Sequence, residues 1–134
     1  MPTHYLWIFL GSGLGGLARH AASVLVAQRF GAGFPWGTLF VNIAGSFVIG
    51  LLATLAAPDG RPLLGSTGRM FLMTGFLGGF TTYSAFSLQT LTLAREGEWW
   101  RASGNAVGTF ALCFLAVGLG HLCAVWLNTL RNSS

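Results

Sequence analysis

Residues 74–89 read TGFLGGFTTYSAFSLQ, the middle of a charge-free stretch running from 70 to 94. That stretch exceeds the roughly 20 apolar residues needed to cross a hydrocarbon core. Glycines and hydroxyls nevertheless stand where a plain lipid-facing helix would carry Leu and Val. A backbone that loosens at mid-bilayer depth is tolerated only where it is buried in protein or lines a polar cavity. The break is therefore predicted to be the functional site.

Composition places the rest of the chain in the same solvent. The 134 residues are 53% hydrophobic and only 7% charged, against about 25% charged in an ordinary soluble domain. Further charge-free runs occupy 30–58 and 102–130, and 5–27 is apolar apart from Arg19 and His20. No basic start or small-residue cleavage site marks that first segment as a removable signal. The reading is an all-α membrane protein of four spans, at about 5–28, 36–57, 70–95 and 101–127, forming one transmembrane domain over 1–134. Pro35, the Pro58, Asp59, Gly60, Pro62 cluster and Gly97 punctuate the connections. Trp7, Trp36, Trp99, Trp100 and Trp126 fall near span ends, as interfacial tryptophans do.

Orientation is less decided. Arg61, Arg69 and Arg131 fall on the side of the termini and Arg29, Arg95 and Arg101 on the other, a tie by the rule that counts basic residues on each side. Two readings follow: either both orientations form and opposed copies pair as an antiparallel homodimer, or the tie is accidental and the first span fixes the direction. Small residues at four-residue spacing offer surfaces for close helix approach. The pairs are Gly11/Gly15, Ser12/Gly16, Gly75/Gly79 and Gly104/Gly108.

Several chemistries are disfavoured. Asp59, Glu96 and Glu98 all lie in connections, so no span carries the carboxylate that a proton-coupled multidrug or metabolite exporter needs. His4, His20, Cys113 and Cys123 lack the spacing of a metal site or of a nucleophile with its base. The two cysteines, about 15 Å apart along one helix, cannot bridge within a chain. The arginines are scattered singly, so the basic balance forms no nucleic-acid patch. No enzymatic activity is expected.

What remains is rich in hydrogen-bond donors. Thr38, Asn42 and Ser46 are spaced at i, i+4 and i+8 on span 2, and Asn105, Thr109 and Cys113 likewise on span 4. Such residues either join helices or line a pathway. Arg19, the charge inside span 1, either snorkels or supplies a positive potential at a vestibule. In span 3, Gly78, Gly79, Thr81 and Thr82 can open the helix, while Tyr83 and Phe86 sit one turn apart. Aromatic ring edges are positive and suit an anion.

Together GTLxVNxxGS in span 2, GFLGGFTTYSAFS in span 3 and GxGLGGLAR in span 1 resemble the Fluc/CrcB fluoride channel family, over nearly the whole chain. The resemblance implies a passive fluoride channel, an antiparallel dual-topology homodimer in a bacterial inner membrane that lowers cytoplasmic fluoride. It implies a structural sodium ion at the dimer interface held by the backbone carbonyls of Gly78 and Thr81. Tyr83 and Phe86 match the aromatic pair of the anion pore and Asn42 its asparagine. Thr82, Ser84 and Ser87 belong to the hydroxyl-bearing segment, Thr109 matches a polar pore position, Thr38 extends the span 2 stripe and Arg19 matches the arginine of span 1. Tyr83 stands where Phe is usual, Ala85 where Thr is common, Gln89 where Glu usually follows and Asn105 where Tyr is frequent. The rival readings are a dual-topology proton-coupled exporter and a non-transporting scaffold subunit.

Overall fold

The computed structural model describes residues 2–56 and 63–134, so the Pro58–Pro62 punctuation, Asp59 and Arg61 lie outside the described residues. Helix α1 spans Pro2–Phe30 and α2 spans Trp36–Leu55. The third predicted span is interrupted: α3 (Ser66–Arg69) continues into a π-helical segment (Met70–Leu77) and a final turn, α4 (Gly78–Phe80). After two extended residues α5 (Tyr83–Arg95) begins, and a turn at Gly97, where φ is +80°, leads to α6 (Trp99–Asn132). No strand occurs among the described residues.

The first and fourth predicted spans lie inside the longer helices α1 and α6, and the second begins with α2 at Trp36 and outlasts it. Alpha-helix 6, of 34 residues, is about 51 Å long at 1.5 Å per residue, more than a bilayer core needs. By length and composition α2 and α6 are each sufficient to cross a membrane. Alpha-helix 1 is long enough but is diluted by glycines, Arg19 and His20, and the third span is divided by its break.

Burial runs opposite to that of a soluble protein. Phe9, Leu17, Phe110, Phe114 and Leu122 are between 62% and 73% exposed, while Asn105, Thr38, Thr109, Asn42 and Thr82 are all 9% exposed or less. With lipid outside, apolar side chains gain nothing by turning inward, and packing rests on close backbone approach and hydrogen bonds between helices. Glycines supply the approach. A Cβ at Gly11 would meet the Phe71 carbonyl, one at Gly15 the Phe76 carbonyl, and one at Gly79 the Ser12 carbonyl. Helix α1 thus lies backbone to backbone against the π segment. Gly50 and Gly120 do the same between α2 and α6, each facing a carbonyl of the other helix, at Val117 and Phe47. The predicted Gly104/Gly108 pair is different: both positions have open space around them and join no helices among the described residues.

Candidate ion pathway

The break is set by three side chains. Thr81 and Thr82 leave the helical region (φ/ψ −85°/157° and −152°/116°), which strands backbone groups in the middle of the span. The carboxamide of Asn42, buried on α2, accepts from Thr82 N–H at 2.8 Å and donates Nδ2–H to Thr82 O at 3.0 Å. This pairing also settles which way the amide points. One turn along α2, Gly45 leaves the space that the Thr81 methyl fills. Thr82 Oγ1 then caps α5 by accepting from Ala85 N–H at 3.2 Å, the ordinary role of a threonine at a helix start.

These substitutions free particular carbonyls. In an uninterrupted helix Gly78 O would accept from Thr82 N–H and Thr81 O from Ala85 N–H. Here Asn42 Oδ1 and Thr82 Oγ1 have taken those donors. The Gly78 and Thr81 carbonyls, both beside the same cleft, therefore have oxygen lone pairs to offer, and the carbonyl end of a helix carries negative partial charge. Hard oxygen donors of this kind suit a small cation such as sodium. By the same polarity the N-terminal end of α5, beginning at Tyr83, carries positive partial charge. Cation-favouring and anion-favouring backbone thus lie on either side of two residues.

A cleft of about 650 Å³ runs along this break, lined by Asn42, Ser46, Thr82, Tyr83, Phe86, Thr109 and Cys113 with apolar walls from Leu77, Phe110 and Phe114. The Tyr83 and Phe86 rings stand 5.6 Å apart at 59°, so they present edges as well as faces. Tyr83 is 79% exposed and Phe110 67%, which leaves the cleft open on that side of the chain. No carboxylate lines it, and no group of three potential His, Cys, Asp or Glu metal ligands occurs among the described residues.

The structure gathers Asn42, Thr82, Tyr83, Phe86 and Thr109 around one cleft, with Gly78 and Thr81 at its edge. Thr38, Ser84, Ser87 and Arg19 do not line it. Ser87 donates to Tyr83 O at 3.0 Å, and Ser84 lies 3.4 Å from Thr82 Oγ1. Thr38 is buried on α2, and Arg19 is half-buried on α1. Two polar contacts had no reading in the sequence. Thr90 bonds Asn105 between α5 and α6, and Thr54 Oγ1 lies 2.8 Å from His121 Nδ1 between α2 and α6. A hydroxyl inside an apolar helix marks both threonines, but not their partners.

A sequence model of the family described as CrcB-like protein, Camphor Resistance (CrcB), matches residues 6–121. Among curated proteins, the fluoride-specific ion channel FluC of Opitutus terrae is 62% identical over 129 residues, covering 96% of this chain and 98% of the relative. Proteins of the same name from Methylocella silvestris and Paramagnetospirillum magneticum are 49% and 51% identical, covering 96% and 92% of this chain and 98% and 97% of theirs.

Proposed function

The chain belongs to the CrcB-like protein family, and on that premise we propose that it is a fluoride-selective passive channel of the bacterial inner membrane, not an enzyme. The single observation that carries the reading is the Asn42 clamp on Thr82, because it opens the third span at mid-length and fixes hydrogen-bonding groups beside the aromatic pair. Fluoride passes between Asn42, which keeps one Nδ2–H beyond its bond to Thr82, and the edges of Tyr83 and Phe86. Thr82 and Thr109 flank this path, while Thr38, Ser84 and Ser87 serve it from outside the cleft and Arg19 adds positive potential. Amide hydrogen and ring edges replace water around the ion, and the absence of cleft carboxylates removes the charge that would repel it.

The working unit is an antiparallel dual-topology homodimer of four-span protomers. Support comes from the arginine tie and from the cleft, which Tyr83 and Phe110 leave uncovered in one protomer. A second copy closes it. The carbonyls of Gly78 and Thr81 would hold a structural sodium ion between the two copies, whose positive charge would balance the carbonyl dipoles brought together there. The physiological need follows from acid chemistry. Neutral hydrogen fluoride crosses lipid, ionises in the less acidic cytoplasm and is trapped until the anion has an exit.

Purified protein in liposomes is expected to release fluoride down its gradient far faster than chloride, with no proton gradient required. Equal release of both halides, or none, overturns the reading.

A further inference from the structure

Away from the clamp, a second chain of hydrogen bonds connects the two sides of the cleft through the protein interior. Thr109 Oγ1 donates to Asn105 Oδ1 at 3.4 Å, Asn105 Nδ2 donates to Thr90 Oγ1 at 2.9 Å, and Thr90 Oγ1 donates to Phe86 O at 2.7 Å. Thr109 and Phe86, its two ends, both line the cleft. Asn105, its centre, is 2% exposed and does not line the cleft.

The direction of every bond is forced. Phe86 O has no hydrogen, so the Thr90 hydroxyl must donate to it, and the Thr90 oxygen is then the acceptor facing Asn105. Asn105 must turn Nδ2 to Thr90 and Oδ1 to Thr109. The Thr109 proton is consequently held toward Asn105 and not toward the cleft. One buried amide thus ties the turn of α5 that carries Phe86 to α6 and sets the hydroxyl orientation of Thr109.

We propose that Asn105 and Thr90 are positioning residues for halide discrimination. Asn105 ties α5 to α6 so that Phe86 and Thr109, which both line the cleft, are held at a fixed separation. The inference rests on the fluoride-channel reading above. A small anion is preferred over a larger one only where the walls cannot yield, and releasing either end lets them yield.

The test compares fluoride and chloride release from liposomes, together with single-channel fluoride current, for wild type, Thr90→Val, Thr90→Ser and Asn105→Leu. Valine keeps the shape of threonine and removes the hydroxyl. Thr90→Val and Asn105→Leu are expected to lower the fluoride-to-chloride ratio about fivefold, the worth of one neutral hydrogen bond. Their double variant falls no further than the worse single one, because the residues act as one unit. Thr90→Ser retains the wild-type ratio. A residue that merely joined helices would change the yield of active vesicles and leave the ratio and the current per channel intact. Should Asn105→Leu fail to fold, Thr90→Val alone decides. Wild-type ratio and current in Thr90→Val, with a conducting wild type, overturn this inference and spare the functional reading. A wild type that does not conduct overturns both.

Discussion

Asn42 and Thr82, forty residues apart, are joined by two hydrogen bonds of 2.8 and 3.0 Å in which one carboxamide serves both the N–H and the C=O of a single backbone unit. The pairing does what the next strand does in a sheet, but inside a membrane-length helix and with a side chain as the strand. Without it, the extended Thr82 would place two unpaired polar groups among buried surroundings, at about 1–3 kcal/mol each.

Asn42→Ala is therefore expected to destabilise the protein by about 2–6 kcal/mol and to reduce fluoride flux severely. Asn42→Asp keeps an acceptor for Thr82 N–H but sets a carboxylate oxygen against Thr82 O, and it places a negative charge on the anion path. It should conduct less than the alanine variant. Thermal unfolding in detergent and liposome flux, measured together, separate the two effects.

At the aromatic pair, Phe86→Leu removes the ring edge while keeping an apolar side chain of similar reach. Flux should fall about fivefold or more, in keeping with about 1 kcal/mol or more of lost edge interaction. Tyr83→Phe retains its edge, and the Tyr83 hydroxyl makes no hydrogen bond among the described residues, so flux should stay close to wild type. Equal losses in both variants would mean that the hydroxyl itself touches the ion.

Gly15 and Gly13, two residues apart on α1, provide a paired test of packing. A methyl at Gly15 meets the Phe76 carbonyl, a backbone atom that cannot swing aside, whereas one at Gly13 meets nothing within 4 Å. Gly15→Ala should cost about 1–3 kcal/mol through overpacking. Gly13→Ala should be neutral or slightly stabilising, since alanine is the better helix former. Melting temperatures of the two variants check this.

On the proposed reading, sodium should stabilise the proposed dimer by mass action. Replacing it with a bulky organic cation is expected to lower the melting temperature and to favour dissociation. Backbone carbonyls do not titrate, so the sodium effect should be flat with pH across the neutral range. A sodium response that instead vanished on mild acidification would point to a titrating ligand and away from Gly78 and Thr81.

Much of this was legible in order along the chain. The glycines and hydroxyls of 74–89 located the interruption, since a chain without local preference for helix at membrane depth must have another partner. The Asn42 and Thr109 stripes were visible as polar residues at helical spacing. Other features were not. Of the four residues read as able to open the helix, Thr81 and Thr82 form the break while Gly78 and Gly79 stay helical, and what selects them, the grip of Asn42 and Gly45 on a different helix, has no local signal. The π-helical register of 70–77 has no sequence signal of its own and accompanies the backbone contact with Gly11 and Gly15. Gly104 and Gly108 show the converse, a small-residue pair that joins no helices among the described residues.

By itself the sequence determined the solvent, the helical class, the want of a membrane carboxylate and the segment where a plain helix fails, for these depend on composition and local spacing. Tertiary structure alone decided which donors were taken from Gly78 and Thr81, which hydroxyls turned away from the cleft, and that Asn105 joins Thr90 to Thr109. A hydrogen-bonding group has several possible partners, and the packing of α2, α5 and α6 decides which of them comes within hydrogen-bonding distance.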